Sequence, residues 1–173
     1  KIDTSAKTPQ TQQLDLFAIQ PETPAQEVVS GYKEAKNTNH FYQYVNNNLS
    51  RKNLIRQLLQ QKSVCFDTET TSLNTFEASL VGIAFSYENG KGYYVSFPEE
   101  ETEAQEILEE FRPFFEDESI EKIGQNIKYD IKVLSNYNIV VKGQIFDTML
   151  AHYLINPDMR HNMNVLAETY LNY

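Results

Sequence analysis

The stretch SVCFDTETTSLNTFEASLVGIAFSY (63–87) decides the fold. Val64, Cys65 and Phe66 make a short apolar run that ends in Asp67-Thr68-Glu69. A polar turn around Asn74 leads into SLVGIAFSY, and the turn at Asn89-Gly90 leads into KGYYVSFP. Three short β-rich runs separated by turn residues predict consecutive antiparallel strands, a meander.

Upstream, HFYQYV (40–45) is strand-like. Ser50 is placed to cap a helix over RKNLIRQLLQQ that turns Leu54, Ile55, Leu58 and Leu59 inward. Downstream, the spacing predicts a helix over about 102–115, with Ile107, Leu108, Phe111, Phe114 and Phe115 on one side and glutamates on the other. SIEKIGQ then reads as a strand, NIKYDIKVLSNY as a helix, IVVKGQIF as a strand, and DTMLAHYLIN and NMNVLAETYLNY as helices. Strands followed by alternating helices and strands predict an α/β layered domain with a mixed sheet, antiparallel first and parallel later. Residues 1–38, rich in Thr, Gln and Pro, read as a flexible linker, so the domain is expected over 39–173.

The chain has 173 residues, a net charge of −9 and one cysteine. One thiol forms no internal disulfide, and with three scattered histidines it builds no structural zinc site; Cys65 is expected to pack as a small hydrophobe in its strand. An acidic balance ordinarily argues against nucleic acid. Here, however, residues 99–121 hold 11 acids against Arg112, and the rest of 40–173 holds 10 bases and 8 acids. One acidic helix sets the net charge and leaves the remaining surface free to meet a polyanion. With neither a signal-like start nor a run of 18 apolar residues, the sequence predicts a cytoplasmic monomer without membrane contact.

Asp67 and Glu69 stand two apart on a strand and so project to one face. Buried carboxylates need a cation or strong donors, and Mg²⁺ or Mn²⁺ would supply the former; alternatively one acid caps the turn at Thr70-Thr71-Ser72 and the other is solvated. Asn126 and Asp130 are expected four apart on one helical face, readable also as a cap and a solvated acid. Asp147 reads as the cap of the following helix. Arg160-His161, in a loop between helices, could touch a phosphate or be solvated.

Taken together, FDTETTSL (66–73), GQNIKYD (124–130), FDTMLAHYLIN (146–156) and RHNMNVLAETYL (160–171) resemble the proofreading domain of bacterial family A DNA polymerases. These are DnaQ-like 3′-to-5′ exonucleases of the DEDDy type with a ribonuclease H-like, three-layer fold. The resemblance covers about residues 40–173. It implies that Asp67, Glu69 and Asp130 are catalytic and hold two divalent cations, Mg²⁺ or Mn²⁺, with Asp67 shared between them. It also implies that Thr70, Leu73, Gln125, Asn126, Tyr129 and Arg160 hold the 3′-terminal nucleotides of single-stranded or frayed DNA, Leu73 as a wedge. The family's third motif pairs a tyrosine with an aspartate four residues later. No acid after Asp130 fits, since Gly143, Leu154 and Asn164 precede Asp147, Asp158 and Glu168 by four. The domain is therefore expected to be C-terminally incomplete, a piece of a longer polymerase that proofreads, and inactive or very slow on its own. A ribonuclease D-like exoribonuclease and a catalytically silent DNA-binding scaffold are the alternatives. In the linker, Gln13, Leu14, Asp15, Leu16 and Phe17 resemble the bacterial sliding-clamp binding pentapeptide, with Leu16 and Phe17 as apolar anchors.

Overall fold

The computed structural model describes Gly31 and residues 33–173, so most of the expected linker, with the clamp-like pentapeptide Gln13–Phe17, lies outside the described residues; its last part is not a free tether, because Ala35–Asn37 form a 3-10 turn and the Lys33 N–H donates to the Asn172 carbonyl at 2.6 Å. Six strands form one mixed sheet: β1 (Phe41–Val45), β2 (Ser63–Thr70), β3 (Leu80–Ser86), β4 (Lys91–Ser96), β5 (Glu121–Gly124) and β6 (Ile145–Asp147). Their order across the sheet is β1-β4-β3-β2-β5-β6. The meander β2-β3-β4 is antiparallel as expected, whereas β1 joins β4, β5 joins β2 and β6 joins β5 in parallel.

The two faces of the sheet differ. On one, the register aligns Val45, Val95, Ile83 and Thr68 in one row and places Tyr93, Phe85 and Phe66 in the next, and nearly all of these side chains are buried. Helices α1 (Asn48–Leu58), α2 (Glu101–Glu110), α3 (Arg112–Phe115) and α4 (Lys128–Asn136) contribute Leu54, Leu58, Leu108, Phe111, Phe114, Phe115, Val133 and Leu134 to the same core. Phe85 stacks on Phe111 at 5.5 Å between ring centroids and meets Phe114 edge-on at 5.7 Å. On the other face the row Tyr44, Tyr94, Ala84, Asp67 is only partly covered. After β6 the chain forms α5 (Thr148–Ile155), then α6 (Met163–Leu166), which continues as a π-helical turn over Ala167–Leu171.

Four local expectations are corrected. Asn47, not Ser50, caps α1: its side chain accepts from the Ser50 backbone N–H at 2.9 Å, so the helix starts three residues earlier. Leu59, expected inward, lies past the last turn of α1 and is exposed. The single helix expected over 102–115 is two, because Pro113 lacks the N–H needed to continue α2 and instead suits the first turn of α3. Cys65 is exposed, because the alternation along β2 sends it to the open face with Asp67 while Val64 and Phe66 face the core. No helix among the described residues is long and apolar enough to cross a membrane.

Candidate active site

The carboxylates gather where β2 outruns its parallel partner. Pairing between β2 and β5 covers Ser63 to Cys65, and β5 stops at Gly124, so the β2 edge beyond lacks a neighbouring strand on that side. Asp130, in the first turn of α4, takes that place. Its Oδ1 accepts from the Thr68 backbone N–H at 2.8 Å and from the Thr68 hydroxyl at 2.6 Å. Asp130 is 2% exposed. Burial pushes its carboxyl up, the two Thr68 bonds pull it back, and nearby Asp147 adds to the rise.

Asp67 and Glu69 occupy the open face on either side of Thr68. Burial, then the charge of Asp130, then that of Glu69, raise the Asp67 carboxyl to about 6. No ion pair found among the described residues involves any of the three acids. The repulsion is thus uncompensated, and it falls mainly on Asp67.

The turn between β5 and α4 is fixed from β6. Asp147 caps α5, as expected, by accepting from Met149 N–H at 2.9 Å and Leu150 N–H at 3.2 Å; the same Oδ1 accepts from Asn126 N–H at 3.0 Å. Asn126 is not on the helical face expected for it. It has φ of 57° in the left-handed region ahead of α4, a conformation asparagine tolerates. Gly124 is needed just before it: a Cβ there would come within 2.9–3.1 Å of three Ile127 side-chain atoms.

The residues expected to hold nucleotides divide into two groups. Tyr129, Thr70 and Gln125 already have internal partners. The Tyr129 hydroxyl donates to the Ser72 carbonyl at 2.5 Å and lies 2.5 Å from the Thr70 hydroxyl, fastening the β2–β3 loop to α4. Gln125 donates to the His161 carbonyl at 2.6 Å and accepts from the Thr148 hydroxyl. Leu73, by contrast, is 94% exposed on the loop that Tyr129 braces, and Arg160 is exposed in the loop after α5. Beside Asp67 opens a cleft of about 290 Å³ whose lining includes Cys65, Gln125, Leu166 and Tyr170. Sequence reasoning assigned no role to Thr68, which holds Asp130, or to the bond from Asp147 to Asn126.

A model of the 3′-5′ exonuclease family matches residues 42–173. The chain belongs to this family. DNA polymerase I of Borreliella burgdorferi is 35% identical over 133 residues, covering 75% of this chain; that of Pseudomonas aeruginosa is 35% identical over 126 residues, covering 68%. In each case the match spans 14% of the relative's length. Among solved structures, Escherichia coli RNase D superposes with a TM-score of 0.61 at 16% identity, covering 77% of this chain and 34% of that one. Brucella melitensis NrnC with bound Mg²⁺ gives 0.58 at 20%, covering 79% and 63%. These likenesses agree with the ribonuclease H-like fold expected for this exonuclease family.

Asp67, Glu69 and Asp130 fit a divalent cation by donor chemistry: they are hard oxygen ligands whose mutual repulsion no side-chain cation relieves. They are not drawn in as a closed cage, and among the described residues no three acids, histidines or cysteines are gathered tightly enough to be one. A cation such as Mg²⁺, which keeps several waters and takes one or two carboxylates, does not need one.

Proposed function

We propose that this chain is the editing domain of a cytoplasmic DNA polymerase I and removes 3′-terminal nucleotides from single-stranded or frayed DNA by metal-dependent hydrolysis. The observation that carries the reading is the gathering of Asp67, Glu69 and Asp130 around the end of β2 with no side-chain cation among them and with Asp67 lining a cleft, in a chain of the 3′-5′ exonuclease family. The relatives' name, DNA polymerase I, supports DNA rather than RNA as the substrate in this reading.

Two Mg²⁺ or Mn²⁺ ions held by Asp67, Glu69 and Asp130 would supply an activated water and charge stabilisation at the scissile phosphate. Each residue's part follows from its surroundings. Asp67 is the acid that both neighbours repel, so a shared cation relieves it most. Thr68 orients Asp130, and its two bonds favour the charged form of that carboxyl against burial. Tyr129 and Thr70 act through the loop they brace, which presents Leu73 to a terminal base. Gln125 and Asn126 frame the turn next to Asp67, and Arg160 is free to meet a phosphate. Residues 131–173 supply no tyrosine–aspartate pair at the family's spacing, so we propose that this stretch alone hydrolyses DNA slowly, as a part of a larger, monomeric polymerase chain. Gln13–Phe17 is our proposed sliding-clamp segment; a peptide covering 10–20 that fails to bind a clamp at tens of micromolar would remove that assignment.

Calorimetric titration of Mn²⁺ into the chain and into Asp67→Ala tests the metal site. Binding should be lost in the variant, with heat release in the parent falling below about pH 6 as Asp67 takes up its proton. Equal binding by both would defeat the reading, and RNA trimmed in preference to DNA would move it to an exoribonuclease.

A further inference from the structure

A hydrogen-bonded chain runs from α5 to the end of β5 without using the carboxylates. His152, 6% exposed on α5, meets His161 through facing ring nitrogens, Nδ1 to Nδ1 at 2.7 Å. Its Nε2 lies 3.0 Å from the Tyr170 hydroxyl on the π-helical turn. The His161 carbonyl receives the Gln125 carboxamide at 2.6 Å, and Gln125 in turn accepts from Thr148. The Tyr153 ring meets His161 edge-on at 5.2 Å, and Asp147 and Lys128 share a groove with it.

Counting protons shows how this chain can be broken. Two imidazole nitrogens that face each other hold one hydrogen between them, so one ring donates and the other accepts. The Tyr170 hydroxyl plays either part at the far nitrogen, and both neutral arrangements are satisfied. A first added proton can sit on His161 Nε2 and leave the shared bond intact. A second makes both Nδ1 atoms donors, and two like charges then face each other where a hydrogen bond stood. Asp147, across the shared groove, accepts three backbone N–H groups at Oδ1 and makes no bond to either imidazole. The loop 157–162 is otherwise tied mainly by local bonds, such as Met159 N–H to the Asn156 carbonyl at 3.3 Å.

We infer that His152 is a positioning residue: its single-proton pair with His161 locks the loop 157–162, and thereby sets the Gln125 carboxamide at the Asp67 cleft and fixes the loop that carries Arg160. This rests on the exonuclease reading above, in which Gln125 and Arg160 face the 3′ end.

The test is fluorescence anisotropy of a labelled single-stranded DNA oligonucleotide on the whole chain, in EDTA, from about pH 8 to about pH 5, the window in which histidine side chains change charge. His152→Gln keeps a donor and an acceptor but cannot be charged. It should bind within about threefold of the parent at pH 8 and about tenfold more tightly than the parent at pH 5, the worth of one charge-assisted hydrogen bond. His161→Gln, on a different element, should flatten the profile in the same way, and His152→Ala should bind about tenfold more weakly than the parent at pH 8. Parallel pH profiles for the parent and both glutamine variants would overturn the inference alone. Binding that is absent, or indifferent to Gln125→Ala and Arg160→Ala, would overturn the exonuclease reading and the inference with it.

Discussion

Asp67→Asn should make the metal-free protein more stable at neutral pH. The Asp67 carboxyl moves from its ordinary 3.8 to about 6 through burial and the charges of Asp130 and Glu69. That displacement corresponds to about 3 kcal/mol between the charged and neutral forms, and water at a half-exposed side chain reduces it to about 1–1.5 kcal/mol. The folded chain binds this proton more tightly than the unfolded chain. The penalty is therefore absent below about pH 4, grows as pH rises through the window up to about 6, and is complete above it. Asparagine is isosteric and uncharged, so it removes the penalty at every pH. In urea titrations with EDTA, Asp67→Asn should unfold about 0.5–0.7 M later than the parent at pH 7.5, taking a slope of about 2 kcal/mol per molar. Near pH 4 the two should coincide. Saturating Mn²⁺ should reverse the order at pH 7.5, since a ligand at a hundred times its dissociation constant adds about 2.7 kcal/mol to the chain that binds it. Equal midpoints at pH 7.5 without metal, or a difference that persists at pH 4, would refute the reasoning.

Thr68→Val removes the hydroxyl bond to Asp130 while keeping the backbone bond and the shape; it should cost about 1.5–3 kcal/mol at neutral pH, less on acidification as Asp130 protonates, read by urea midpoints at two pH values. Gly124→Ala drives a Cβ into the buried Ile127 side chain and should lower stability by about 1–3 kcal/mol in thermal unfolding. Gly92→Ala, whose Cβ would meet the exposed and movable Tyr42 ring, should cost clearly less.

The parts of this molecule that could be read from sequence are those set by neighbours along the chain. The meander follows from apolar runs and turn residues, the Asp67–Glu69 pair from the two-residue period of a strand, and the Asp147 cap from its position ahead of an apolar helix. What escaped depends on distant partners or on local backbone choices. Asn126 looks helical by spacing, but Asp147 holds its N–H from 21 residues away in a left-handed turn. Cys65 looks like core by composition, yet the faces of β2 are assigned by what packs against them. Tyr129, Thr70 and Gln125 are spent on bonds across the fold, which a motif does not reveal. Thr68 drew no notice because its partner lies 62 residues on.

That separation has a consequence for how the domain assembles. The connections β2–β3 (71–79) and β3–β4 (87–90) are local, whereas joining Thr68 to Asp130 closes a loop of 62 residues, at an entropic cost of about 4 kcal/mol. Contacts of such span form late, after the local pairings are in place. The charges of Asp67 and Asp130 therefore meet only once most of the core has been committed. Their repulsion should leave the refolding rate of the metal-free chain almost untouched and should appear instead as faster unfolding, so that an added cation would slow the escape from the native state rather than hasten its arrival.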